Sequence, residues 1–121
     1  GGNISSIKKS SLIKQRSLLL SEDAENKVIT QITNAWSKFQ SSESVLRATG
    51  SQLKAAEIAN EGITLEYDSG NTRTTLEVIQ SRSLLLDSRI AFAKAERDFI
   101  ISKFELAFQL GILSLSSINS W

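Results

Sequence analysis

The chain has 121 residues and carries 14 lysines and arginines against 13 aspartates and glutamates, for a net charge of +1. That balance offers no basic field for nucleic acid or anionic lipid. Cysteine and histidine are both absent, which removes disulfides, Cys-based metal and redox sites, the commonest general base and the commonest zinc ligand. The carboxylates are scattered without a convergent constellation, so no catalytic, cofactor-binding or metal site is expected and the chain reads as a non-enzyme.

No charged-then-apolar leader opens the sequence, and no uninterrupted apolar run approaches the roughly 20 residues that a membrane-spanning helix needs. The segment is therefore expected not to span a membrane. It starts on Gly1-Gly2 and contains no methionine, as expected of an excised fragment or a processed product. Residues 1–121 read as a single fragment: a helix over about 5–68, a tip turn at 69–73, a helix over about 74–113 and an irregular tail at 114–121.

The first arm begins basic and serine-rich, with Ile4, Ile7, Leu12, Ile13 and Leu18 to Leu20 as its apolar positions. Ser21-Glu22-Asp23 resembles a local helix start, but the apolar period runs on past it without Gly or Pro, so the helix is expected to continue. From Val28 the spacing alternates four and three through Ile32, Ala35, Phe39, Ser42, Leu46, Thr49, Leu53, Ala56, Asn60 and Ile63. This is a heptad seam diluted with small and polar residues. Asp23 with Lys27 and Glu43 with Arg47 stand at i,i+4 in the favoured acid-first order. Gly50 and Gly62 each cost the helix about 1 kcal/mol relative to alanine; each is either a tolerated blemish or a place where another backbone comes close.

The turn is the stretch Tyr67-Asp68-Ser69-Gly70-Asn71-Thr72-Arg73-Thr74-Thr75-Leu76-Glu77. Gly70 falls where the first helix must stop, and glycine just past a helix end adopts the left-handed conformation without steric cost; Asn71 tolerates a similar geometry. Thr74-Thr75-Leu76-Glu77 matches a capping box, with the Thr74 hydroxyl accepting from the Glu77 amide and the Glu77 carboxylate accepting from the Thr74 amide. The second helix should begin at about Thr75. Glu77 is fully accounted for by capping, the alternative being a contact to another subunit. Tyr67 packs at the mouth of the hairpin or meets a partner, Asp68 is a turn residue or a contact, and Arg73, outside both apolar stripes, is either a solvated side chain or a contact.

In the second arm Val78, Leu85, Phe92, Phe99, Leu106 and Leu113 recur every seven residues, and beside them so do Ile79, Leu86, Ala93, Ile100 and Ala107. A strict seven-residue repeat favours a left-handed supercoil. Two adjacent columns exceed what a two-stranded coil needs, and imply contact with more than one helix. Trp36 and the phenylalanines stand at helical spacing and read as packing groups. After Gly111 the period is lost. The fold class is thus all-α, a long antiparallel two-helix coiled-coil hairpin.

Tyr67-x-x-Gly70, then Thr72-Arg73-Thr74-x-x-Glu77-Val78-Ile79, resembles the tip motif of the TolC-type outer membrane efflux protein family. Ala35-Trp36, Ala55-Ala56-Glu57, Ala93-Lys94-Ala95-Glu96-Arg97-Asp98-Phe99 and Leu110-Gly111-Ile112-Leu113 resemble the flanks of that family's second periplasmic helical hairpin. Gly1-Gly2 with the Ser-x-Ile pattern that follows resembles the point where that repeat leaves the membrane barrel. Two departures stand out: one extra residue, Asn71 or its neighbour, precedes Thr-Arg-Thr, and the acidic position is Glu77 where aspartate is usual. Gln80 occupies a place where some members carry a second acid.

The resemblance implies a fragment of a trimeric α-helical tunnel: barrel strands in the outer membrane of a Gram-negative cell, helices through the periplasm, and tips that meet a periplasmic adaptor coupled to an inner-membrane transporter. It implies a role in type I secretion or multidrug efflux, and opening by an outward swing of the inner hairpin as links near the tip break. By position Tyr67, Gly70, Arg73 and Glu77, with Asp68 beside them, are the candidates for tip contact and gating. The competing reading is a coiled-coil scaffold or interaction module without a channel, whose sign would be heptads continuing past both ends of the chain in a cytoplasmic parent.

Overall fold

The computed structural model describes residues 2–70 and 72–119, and the side chains of these except 2–5, 7 and 119. The chain is all-α. Helix α1 spans Gly2–Asp68 and helix α2 spans Thr75–Asn119. Ser21-Glu22-Asp23 does not interrupt α1, since no Pro or left-handed residue there breaks the ladder of amide-to-carbonyl bonds. The irregular tail expected over 114–121 is corrected: α2 continues to Asn119. Losing the apolar period ends the packing of a helix, not the helix itself, and Gly111 costs propensity without forcing a stop. Ser120 and Trp121 lie outside the described residues, as does Asn71, so the expectations placed on them are not addressed.

The contacts of the chain divide it into two units, Ser37–Glu105 and the pair of segments Gly1–Trp36 with Leu106–Trp121. In the first, the two helices run antiparallel around the turn. Every seam position of α1 from Phe39 to Ile63 is buried or half-buried, including Ser42, Thr49 and Asn60. Phe39 stacks on Phe99, with ring centroids 5.4 Å apart, an arrangement worth about 0.5–1.5 kcal/mol beyond the area it buries. Glu43 and Arg47 form the expected pair at 2.6 Å.

The two columns of α2 part company. Val78 and Leu85 are buried and Phe92 and Phe99 half-buried, whereas Ile79, Leu86 and Ile100 are 59%, 56% and 52% exposed. Neighbours in sequence point about 100° apart on a helix with 3.6 residues per turn, so both columns cannot face α1. The inner companion of the first column is a row that hydropathy does not reveal, Ser81, Ser88, Ala95 and Ser102. Ser102 and Ala95 are among the most buried residues of the chain. Ser81 Oγ donates to Asn60 Oδ1 at 3.2 Å, and the hydroxyls of Ser42 and Ser102 lie 2.6 Å apart.

The second unit is more open. Val28, Ile32 and Ala35 of α1 and Leu106, Gln109 and Ile112 of α2 are its covered positions, while residues 8–27 are all exposed, Leu12, Ile13 and Leu18 to Leu20 among them. Asp23 and Lys27 do not form the pair that their spacing permits. A shallow groove lies between Glu25, Val28 and Ile29 on one helix and Leu113, Ser116 and Ser117 on the other.

Among the described residues α2 is long and apolar enough, by length and composition alone, to cross a membrane; its apolar half still carries Lys103 and Glu105, so the expectation that no uninterrupted apolar run reaches about 20 residues stands. The charges of α2, Glu77, Arg82, Asp87, Arg89, Lys94, Glu96, Arg97, Asp98, Lys103 and Glu105, all precede Leu106, and charge is costly inside a bilayer. The apolar content arises from the outward column and from exposed Phe104 and Phe108, side chains that a neighbouring helix covers as well as lipid does.

The two seam-region glycines separate on structure. A Cβ on Gly50 would meet the Phe92 ring at 3.4 Å, whereas one on Gly62 would meet nothing within 4 Å. Gly62→Ala is expected to stabilise the chain by about 1 kcal/mol and Gly50→Ala by less, because its methyl presses on Phe92. Urea denaturation followed by helical circular dichroism distinguishes them, and equal gains would contradict the close approach.

Candidate functional site: the hairpin tip

At the tip the chain reverses within a few residues, and the first device is glycine. Gly70 has φ of 74°, a conformation that costs an L side chain and not glycine. The last turn of α1 closes through the Ser69 amide on the Leu65 carbonyl at 3.0 Å and the Gly70 amide on the Tyr67 carbonyl at 3.1 Å. The Ser69 hydroxyl takes the Glu66 carbonyl at 2.9 Å. These bonds satisfy acceptors that a helix end otherwise leaves open.

The second device is the capping box. The Glu77 amide donates to Thr74 Oγ1 and the Thr74 amide donates to Glu77 Oε2, each at 3.2 Å. Helix α2 accordingly starts at Thr75, with the Glu77 carboxylate in its first turn, where the helix dipole favours negative charge.

The third device ties the two helices together. Arg73 donates from Nε to Glu66 Oε2 at 2.5 Å and holds Nη1 3.8 Å from Glu77 Oε2. One guanidinium thus bridges the last turn of α1 and the first turn of α2. The hydrogen bond to Glu66 and the charge of that carboxylate, with a smaller contribution from Glu77, raise the arginine pKa above its ordinary value. For a raised basic group the favourable interaction is complete below the unfolded-state pKa and is lost only as pH climbs through the folded one, so the guanidinium keeps its charge at neutral pH. Beside it Tyr67 Oη lies 3.1 Å from Thr75 Oγ1, a second link from α1 to α2.

Of the five candidates, Arg73 and Glu77 therefore lie in one bonded group with Glu66 and Thr74, and Tyr67 and Gly70 in a second with Thr75. Asp68 is exposed, and no ion pair or hydrogen bond engages its side chain among the described residues. Glu66 was not singled out by the sequence. Its partnership with Arg73 spans seven residues across a turn, a separation at which neither helical spacing nor capping rules make a prediction. Gln80 is exposed and, with Ala59, Ile63, Leu84, Arg73 and Glu77, lines a shallow depression below the tip. No group of three or more acidic side chains able to hold a metal ion occurs among the described residues.

Substitution separates these devices. Thr74→Ala, which removes the cap acceptor, should cost about 1 kcal/mol in thermal or urea denaturation. Gly70→Val should perturb the turn itself, with loss of amide-exchange protection across 65–70. Arg73→Ala should leave helix content intact while removing any salt dependence of tip protection; an unchanged salt response would show that the bridge contributes nothing in solution.

The chain matches no protein-family profile, and no solved structure is significantly similar to it. It is 27% identical over 95 residues, 78% of its own length, to the outer membrane efflux protein BepC of Brucella suis biovar 1 (strain 1330), and spans 21% of that relative. That likeness, together with the all-α hairpin, agrees with the motif at the tip: the chain resembles a fragment of a TolC-type outer membrane efflux protein.

Proposed function

We propose that the chain is a periplasmic wall segment of a trimeric outer membrane export duct serving type I secretion or multidrug efflux, and that its tip engages a periplasmic adaptor and takes part in gating. The observation that carries the proposal is the similarity to an outer membrane efflux protein over 78% of the chain. The geometry supports it from another side. A duct wall is a ring of helices in which each hairpin meets neighbours on both flanks, and α2 presents a second apolar column, Ile79, Leu86 and Ile100, that α1 does not cover. In the ring that column is buried against the next hairpin.

The tip supports gating through the kind of link it makes. Arg73, Glu66 and Glu77 are all partly solvent-exposed, and exposed ion pairs contribute little and break easily. Such links hold a geometry without freezing it. A partner that offers its own cation to Glu66 or its own carboxylate to Arg73 competes for the bridge, and Asp68 is available to meet it at the apex. Transport requires no bound cofactor in this segment, and an inner-membrane transporter is reached only through the adaptor.

The experiment uses the full-length parent protein. Arg73→Ala is expected to change channel conductance in planar bilayers or the yield of adaptor cross-linking while helix content stays at the wild-type value. Unchanged conductance and unchanged cross-linking would reduce the bridge to a local fold device. A parent without a secretory leader, barrel-like strands before Gly1 and a second helical repeat would sink the duct altogether and favour the scaffold.

A further inference from the structure

The inner face of α2 nearly repeats itself every seven residues, so hydrophobic contact alone leaves the register of the hairpin open. A shift of α2 by one heptad replaces Phe92 opposite Gly50 with Phe99 or Leu85. The same shift in one direction brings Ser88 to Asn60 in place of Ser81, and in the other brings Phe92 to Phe39 in place of Phe99. Each alternative register thus retains part of the native aromatic or polar pairing.

One contact survives in neither. Ser42 Oγ and Ser102 Oγ are 2.6 Å apart, and the residues one heptad to either side of Ser102 are Ala95 and Gln109. Alanine has no hydroxyl to offer, and glutamine is too long for a site in which serine is 5% exposed. Each hydroxyl also reaches a carbonyl of its own helix, Phe39 for Ser42 and Phe99 for Ser102, both at 2.9 Å. Two protons serve three contacts, so one hydroxyl donates to the other and leaves its own carbonyl to the helical amide. A buried polar pair at a seam is the best-attested way for a coiled coil to select one register at some cost in stability.

The geometry points to the Ser42–Ser102 hydrogen bond as the register lock of the hairpin, fixing the axial alignment of α2 on α1 independently of the turn. With no native cysteine, spin labels can be placed on cysteines substituted for exposed Lys54 and Lys103 of the whole chain. A seven-residue Gly/Ser insertion after Gly70 then gives the turn enough slack to permit a slip.

The insertion by itself should leave the single native inter-label distance. Insertion with Ser102→Ala, or with Ser42→Ala, should add a population displaced by about 10 Å, one heptad of helical rise. Ser102→Thr, which keeps the hydroxyl, should restore the single distance. A broad distribution or lost helix with the insertion alone would overturn the inference, because the turn would then be what sets the register. A single unchanged distance in both alanine variants would overturn it as well, as would loss of helix in both, since the pair would then supply stability and not alignment.

Discussion

Two helices packed against each other can each hide one stripe, and α2 carries two. Everything distinctive about this chain follows from that constraint. The column of Val78, Leu85, Phe92 and Phe99 is spent on α1, and the column of Ile79, Leu86 and Ile100 is left facing outward. A chain this long would ordinarily bury a compact core; here the buried residues among those described are Ala35, Ala56, Val78, Leu85, Ala95 and Ser102. Ile79, Leu86, Ile90, Ile100, Phe104 and Phe108 all remain exposed on α2, and contiguous exposed apolar surface marks an interaction face.

The seam and the tip complement each other in this arrangement. Along the seam, large side chains alternate with serine and alanine, which lets the helices approach closely while limiting how much stability their contact provides. At the tip, Gly70, the Thr74–Glu77 box and the Arg73 bridge determine how the chain turns and how α2 begins. The tip is held by polar links on the solvent side, the seam by buried contacts. The two sets of contacts share no residue, so the polar links of the tip can break without unpacking the seam.

Much of this was legible in the residues. The four-three spacing of α1 picked out its inward positions even where these are Ser42, Thr49 and Asn60, because period carries the information there and hydropathy does not. The capping box was readable because its partners are local, three residues apart. Three features were not. Ser81, Ser88 and Ser102 carry no hydropathy signal, and only the position of α1 decides which of two adjacent columns turns inward. The Glu66–Arg73 bridge was missed because it crosses a turn whose path sets the distance. The helical tail is invisible to the apolar period, which reports the packing of a helix and not its existence. As for function, the tip motif and its flanks indicated the efflux-protein likeness that the comparison with BepC then supported, while the adaptor contact and gating proposed above are properties of an assembly and are not written in one chain.

The central claim is that the outward column of α2 is an inter-hairpin surface in the assembled duct. With no cysteine in the chain, Leu86→Cys and Ile100→Cys can be probed by a water-soluble maleimide in the isolated chain and in the full-length protein purified from membranes, with exposed Lys54→Cys as the reference position. The account predicts rapid labelling of both cysteines in the isolated chain and strong protection of both in the full-length protein, with the reference labelled in each. Equal reactivity of Leu86→Cys and Ile100→Cys in the two forms would contradict it.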